Sequence, residues 1–377
     1  MNERTTTRVR DAEGQLSQRM DAYLRDEYAL SGVSVYVQLL IGTALYLFGR
    51  VSTPGYMSVL LSGAAVFLIW AVSRLLQRNA SAEKGVLREY LGSLGEKAAS
   101  LLLALCFLLD AQLALFALCA VMGEVLPDVN TFWAALFAAL MTALSLRGAP
   151  YALPRLSRIL RWVLLLFMAW PMLTALPQGS IGHLCPALGM GPGSVLSGAL
   201  RMGGCAAGAC CPWLLPQSPG TFTAMREKKP RGLGSLLGGV LFAALFALEA
   251  AYLLPFYALA RPETAGWRLL IFSTLSPSLI GWSLMLWAML FFLLLALSAG
   301  TSRAAALLAR AAGKGTPTPF LPAVLLLLQV PLAALNTDIS EGLLLRLAPF
   351  RGLAVLLVLS ALLARLGIRK VKGGKRP

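Results

Sequence analysis

Three ionisable side chains sit inside long apolar runs and are the first candidates for chemistry: Asp110 in CFLLDAQLALF, Glu249 in FALEAAYLLPF and Arg201 at the head of RMGGCAAGACC. A charge at the centre of a bilayer helix costs about 2.5–3.5 kcal/mol on insertion scales, so each needs a partner or a task. A carboxylate there either binds a substrate ammonium or carries a coupling proton, or else it forms a buried ion pair that fixes helix packing. At about 1.5 Å of rise per residue, Arg201 and Glu249 fall at similar depth on neighbouring spans. The reading is therefore a structural ion pair between these two, with Asp110 left for a ligand.

Cys205, Cys210 and Cys211 crowd the segment that Arg201 opens. A soft metal would need further Cys or His ligands converging from other segments, and the single histidine, His183, falls in a predicted outer loop. The six cysteines, with Cys106, Cys119 and Cys185 completing the set, are expected to be reduced and packed as small hydrophobes, with no metal and no cofactor. Trp282 and Trp287 share one apolar run. Trp287 is the candidate to stack on a ligand, against the plainer reading of both as packing or interface anchors. Nucleotide-binding loops, catalytic triads and metalloprotease helices are all missing from the sequence, so no enzymatic activity is expected.

The segments that must position these residues are apolar throughout. Of 377 residues 58% are hydrophobic and only 13% charged, with a mean hydropathy of +0.72, whereas a soluble domain is roughly half apolar and about a quarter charged. The charge of +16 lies in short stretches between apolar runs rather than on one surface, which excludes a nucleic-acid partner and points to a lipid bilayer. A bilayer core of about 30 Å needs roughly 20 apolar residues per helical span. Ten runs qualify, centred on residues 34–48, 56–72, 98–122, 132–146, 162–176, 195–215, 236–259, 279–297, 320–335 and 353–363. Residues 1–30 read as a cytoplasmic tail, helical near residues 18–28, because they hold five Arg and six acidic residues and lack the apolar core of a signal peptide. Residues 31–367 form the membrane domain and 368–377 a basic cytoplasmic tail.

Basic residues collect on one side. Between alternate spans lie Arg74, Arg78, Lys84, Arg88 and Lys97; then Arg147, Arg155, Arg158 and Arg161; then Arg226, Lys228, Lys229 and Arg231; then Arg303, Arg310 and Lys314; and six more at the C-terminus. These 22 face only Arg50, Arg261, Arg268, Arg346 and Arg351 in the other loops. Such an excess marks the cytoplasmic side, so both termini are expected there.

An even count of ten divides into five plus five, and the first span of each half is interrupted by glycine. Span 1 carries Gly42 and Thr43 before Ala44; span 6 carries Gly203, Gly204 and Gly208, with Pro212 beyond. Broken helices at matching places of two inverted halves expose backbone N–H and C=O groups to a midplane ligand, as in secondary transporters. The alternative is that the glycines only allow close helix packing.

Several segments occur in an order that resembles the spore germination permease family, the B subunits of GerA-type germinant receptors within the amino acid/polyamine/organocation transporter superfamily. They are QLLIGTALYLFG at span 1, GYMSVLLSGAAVFLIWAVSRLLQR at span 2, VLREYLGSLGEKAASLLLAL entering span 3, and GWSLMLWAMLFFLLLALSAGTSRAAALLA at span 8, followed by a closing apolar helix with its basic tail. Span 6 departs from the family pattern in having no acidic residue after its glycines. The resemblance implies an all-α integral membrane protein with a 5+5 inverted repeat (the LeuT-like fold), discontinuous helices 1 and 6, and partners of the A and C subunit types. It also implies a small germinant, such as an amino acid, held between spans 1, 3, 6 and 8. The site expected on this chain comprises Gly42, Thr43, Ala44, Asp110, Gly203, Gly204, Cys205 and Trp287. A proton-coupled amino acid or amine permease, and a non-transporting membrane scaffold with a vestigial site, are the alternatives.

Overall fold

The computed structural model describes residues 27–44, 56–78, 86–126, 128–148, 152–185, 188, 191–208, 233–253, 279–314, 317–318, 320–334 and 337–373. Among these residues every regular element is helical. The helices are α1 (27–42, closing in a π-type turn at 43–44), α2 (Met57–Arg78), α3 (Val86–Val125), α4 (Thr131–Gly148), α5 (Ala152–Ala175), α6 (Pro192–Ala207), α7 (Leu233–Leu253), α8 (Leu279–Ala311), α9 (Leu321–Ala333) and α10 (Thr337–Gly373). Two short 3₁₀ turns, Leu176–Gln178 and Ile181–Leu184, follow α5. Each of the ten apolar runs overlaps one of these helices, with residues 45–48, 209–215, 254–259 and 335 lying outside the described residues. Five segments are long and apolar enough to cross a bilayer: Met57–Leu76, Val86–Gly123, Leu153–Ala175, Ser283–Ala311 and Pro349–Ile368. The apolar stretches of α4, α7 and α9 are shorter. The chain is an all-helical membrane protein.

α3 and α8 form the centre and pack extensively against each other. Gly300 makes that possible, since a Cβ there would stand 2.9 Å from the Phe107 carbonyl oxygen and 3.0 Å from Ala111. The N-terminal part of α3 and the C-terminal part of α8 are tied by an ion pair between Arg310 and Glu96, with Arg88 4.0 Å from the same carboxylate. Around this centre α10 and α4 pack on α3, α5 on α8, α6 on both α2 and α10, and α9 on α4. The outward faces are apolar, with Trp133, Leu166, Trp170, Leu200, Leu328 and Leu357 all exposed, as lipid contact requires.

Several basic residues expected in loops are helical. Arg88 and Lys97 lie in α3, whose two pieces join at Gly92 with φ of 75°; Arg155, Arg158 and Arg161 lie in the first turns of α5, and Arg303 and Arg310 in the last turns of α8. The helices continue through these positions: Arg303 is buried in the bundle, whereas long Lys and Arg stems near the end of a span can reach the headgroups. α1 likewise begins at residue 27, inside the segment read as tail. The expected loop from Arg226 to Arg231, and Arg50, Arg261 and Arg268, lie outside the described residues.

α1 crosses α7 backbone to backbone. A Cβ on Gly32 would meet the Ser235 carbonyl, with its carbon at 2.9 Å, and one on Gly239 would meet the Gly32 carbonyl. Gly32→Leu is therefore expected to part the two helices and lower stability by about 1–3 kcal/mol, the usual range for overpacking. A melting curve of the detergent-solubilised variant that matched the wild type would show that this crossing is not tight.

Candidate functional site

Two buried charges, Asp110 and Arg351, meet where α1, α3, α6 and α10 come together. Asp110, two-thirds along α3, forms an ion pair with Arg351 of α10, and both side chains are shielded, at 5% and 0% exposure. Gln38 of α1 links them: Arg351 Nη1 donates to its Oε1 at 3.1 Å, and its Nε2 donates to the Asp110 carbonyl oxygen at 3.0 Å. The Cys106 thiol reaches the Arg351 carbonyl at 3.9 Å. One amide and two charges thus bind three helices together, in surroundings where a lost partner is costly.

The two helices predicted to be interrupted border this cluster, but the expected break in α6 is corrected: α6 is a regular helix through Gly203, Gly204 and Cys205, because glycines can serve close helix packing without breaking the backbone ladder. α1 leaves regular α-geometry at Thr43 and Ala44, both buried, and Thr43 Oγ1 donates back to the Leu39 carbonyl at 2.7 Å. Such back-bonding competes with the helix ladder, and π-type turns occur frequently at functional positions. Met202 of α6 packs on this turn, 3.3 Å from where a Cβ on Gly42 would stand, with its sulfur 3.9 Å from Thr43 Oγ1. At the C-terminal end of α6, a Cβ on Gly208 would lie 2.8 Å from Asp110 Oδ2. On the neighbouring turn of α6, Gly204 faces α10: a Cβ on Gly352 would stand 2.8 Å from the Gly204 Cα. Gly203 faces α2, with the Ala65 Cβ at 3.5 Å and the Ser62 carbonyl at 3.7 Å from its Cβ position. Gly42, Thr43, Ala44, Asp110 and Gly204 are therefore brought to one region, and Gly203 adjoins it on the α2 side.

A further buried charge stands one turn below Asp110. Arg303 of α8 donates through Nη2 to Glu27 Oε1 at 3.0 Å and to Ser31 Oγ at 2.9 Å, both on α1, and its guanidinium carbon lies 5.7 Å from the centre of the Phe107 ring. The N-terminal half of α1 is thereby fastened to α8.

No protein-family model matches the chain, and no curated protein is significantly similar to it. The site has to be read from its own residues.

Three further expectations are corrected. Asp110 is already paired, and its partner Arg351, counted among outer-loop residues, is wholly buried within α10. The expected pair of Arg201 and Glu249 is not among the ion pairs of the described residues. α6 packs mainly on α2 and α10, whereas α7 packs on α2 and the Ile181–Leu184 turn, so similar depth does not bring the two residues together. Glu249 is buried, with Oε1 lacking a hydrogen-bond partner among the described residues, while Arg201 is half-buried on α6. Trp287 is 59% exposed on the outer surface of α8, where its ring lies tilted against Phe291 at 6.4 Å. It faces lipid and lies apart from Asp110, so Trp287→Ala is expected to change a ligand response by less than about twofold, well under the tenfold that 1.4 kcal/mol would give. A tenfold or larger change in the response would return Trp287 to the site.

Cys106 and Cys119 are buried and Cys185 is exposed, none of them in a disulfide among the described residues, whereas Cys210, Cys211 and the side chains of Cys205 and Trp282 lie outside the described residues. His183 Nδ1 lies 3.0 Å from the Tyr252 carbonyl, which also accepts the Ser180 N–H at 3.1 Å. The 3₁₀ turns thereby satisfy a terminal carbonyl of α7, which explains the placement of this histidine.

Sequence reading missed Gln38, Arg303 and Arg351. The available signal was that QLL in span 1 and the arginines near the ends of spans 8 and 10 adjoin apolar helix, where a polar side chain must find a partner.

Proposed function

We propose that the chain is a ligand-sensing membrane subunit with a transporter-like core, of the germinant-receptor B type that its sequence resembles, and that it takes a small amino acid at the junction of α1, α3, α6 and α10. The observation that carries this reading is the convergence of the irregular turn at Thr43 and Ala44, the glycine-bearing end of α6, and the Asp110–Arg351 pair. Irregular backbone at membrane depth is tolerated where it is buried in protein or lines a cavity, and transporter-type folds place their ligands beside it. The 5+5 repeat, the ten crossings, the A- and C-type partners and residence in the inner membrane of a spore belong to the same proposal. A thermal-shift screen of the purified protein over amino acids, sugars and nucleosides is expected to single out small amino acids. Stabilisation by none of them would remove the basis for a ligand-sensing role.

The proton-coupled permease is favoured by one observation, the buried and incompletely bonded carboxyl of Glu249, which suits a proton carrier. Uptake of labelled amino acid into proteoliposomes, abolished by Glu249→Gln, would select it. Absence of uptake alongside ligand-dependent stabilisation supports the receptor.

In this reading both termini face the cytoplasm. A single cysteine placed at Lys372 should stay protected from a membrane-impermeant thiol reagent until the membrane is permeabilised. Labelling in intact cells would reverse the orientation.

A further inference from the structure

Basic side chains near the helix ends fall into two groups. Arg303 and Arg310 of α8 are answered from within the protein, by Glu27 and Glu96. Arg155, Arg158 and Arg161 instead follow one another at intervals of three along the first turns of α5, a helix with no acidic residue anywhere in its sequence. Neither Arg155 nor Arg161 has a carboxylate partner among the described residues. Arg161 donates through Nη1 to the neutral Ser235 hydroxyl of α7 at 2.8 Å, and its Nε lacks an acceptor among the described residues.

The N-terminus of a helix is the positive end of its dipole, where an anion is favoured and a cation is not. α5 begins with cations and supplies no anion, so an anion from outside the helix is attracted by the arginines and by the helix end together. The same turns face lipid. Arg155, Ile159, Trp162, Leu166 and Trp170, spaced by three or four residues, form one stripe of α5, and all are exposed. Trp162 lies where the arginines give way to apolar side chains, and the Arg161 guanidinium carbon stands 4.9 Å from the centre of its ring. A tryptophan at such a boundary sits at the headgroup level of a bilayer.

We propose that the first turns of α5 form a docking site for an anionic phospholipid, whose headgroup phosphate is held by Arg155, Arg158 and Arg161 and whose acyl chains lie along the stripe of Trp162, Leu166 and Trp170. The inference needs only the membrane setting, so it and the ligand-binding reading above can fail separately.

The chemistry selects this class of partner on two counts. Guanidinium groups match phosphate oxygens with paired N–H donors, whereas a zwitterionic headgroup would bring its own ammonium towards three cations. A soluble anion would use the arginines alone and leave the apolar stripe unused. Room for a headgroup exists on the α7 side: Gly234 and Gly238 lie on either side of Ser235 in sequence, and a Cβ at either would meet nothing within 4 Å.

The test measures by native mass spectrometry the lipid that the full-length protein retains from micelles holding equal amounts of phosphatidylglycerol and phosphatidylcholine. The wild type should retain phosphatidylglycerol over phosphatidylcholine by at least about tenfold. The triple variant Arg155→Gln, Arg158→Gln, Arg161→Gln should lose that preference. A control triple variant, Arg365→Gln, Arg369→Gln, Lys370→Gln, removes the same charge from the end of α10 and should keep it. Arg155→Gln alone changes only an exposed side chain, so it should fold even if the triple variant does not, and it should weaken the preference by at least about threefold. Inorganic phosphate at the same concentration as the lipid should not raise the melting temperature of the wild type, whereas phosphatidylglycerol should. No preference in the wild type, equal losses in the two triple variants, or an unchanged preference in Arg155→Gln would overturn the proposal. Equal stabilisation by inorganic phosphate would also overturn it, by showing an adventitious ion only.

Discussion

Arg351→Met is expected to cost about 3–5 kcal/mol of stability, because it leaves the Asp110 carboxylate buried without its cation. A loss in the same direction is expected for Asp110→Leu, which removes the carboxylate paired with Arg351. The double variant Asp110→Leu with Arg351→Met should recover most of the loss, since replacing a whole buried pair by apolar side chains of similar size is often neutral or better. A residue of about 1 kcal/mol should remain, because Gln38 Oε1 loses its donor while Nε2 keeps the Asp110 carbonyl. The double-mutant cycle in detergent reads this as a coupling of several kcal/mol between positions 241 residues apart in sequence. Additive losses would mean that the two charges do not depend on each other.

Gly204→Leu is expected to insert into the membrane normally and to abolish the ligand response. Gly204 is buried at the crossing of α6 and α10, where its Cα is the nearest atom to a Cβ built on Gly352. A leucine there must push α10 away or distort α6, and such overpacking costs about 1–3 kcal/mol. Insertion is set by the apolar content of the spans and should not suffer. The site should, because Arg351 adjoins Gly352 and moves with it. Binding is expected to weaken by at least tenfold, the equivalent of about 1.4 kcal/mol. An equally expressed Gly204→Leu variant with unchanged ligand binding would place the site elsewhere.

Much of the fold was legible because membrane helices announce themselves. Each apolar run overlaps a helix among the described residues, since a bilayer leaves the backbone few other ways to satisfy its hydrogen bonds. Helix ends were less legible. Arg88, Lys97, Arg155 and Arg310 look like loop residues, yet a helix can run on past the apolar stretch when long basic side chains carry it out of the hydrocarbon.

The same habit hid Arg351 and Arg303, which sit near span ends in sequence but point into the bundle. Part of the site was readable: the glycines of spans 1 and 6 and the intramembrane carboxylate of Asp110 do come together. What Asp110 pairs with was not, because the choice between Arg351 and a ligand depends on packing between distant helices. Arg201 and Glu249 illustrate the converse. Depth can be counted from sequence, but which helices touch cannot. Trp287 shows a third limit, since a single aromatic in an apolar helix carries no signal for the lipid-facing or inward side.

The most direct test of the central claim, that the junction holding Asp110 and Arg351 is where a small amino acid binds, is equilibrium binding of the twenty labelled amino acids to two purified proteins. One is the wild type and the other is the Asp110→Leu, Arg351→Met double variant, chosen because it should remain folded. The account predicts saturable binding of one or a few small amino acids, one per chain, to the wild type, and none to the double variant. Binding of equal strength by both proteins, or none by the wild type, would contradict it.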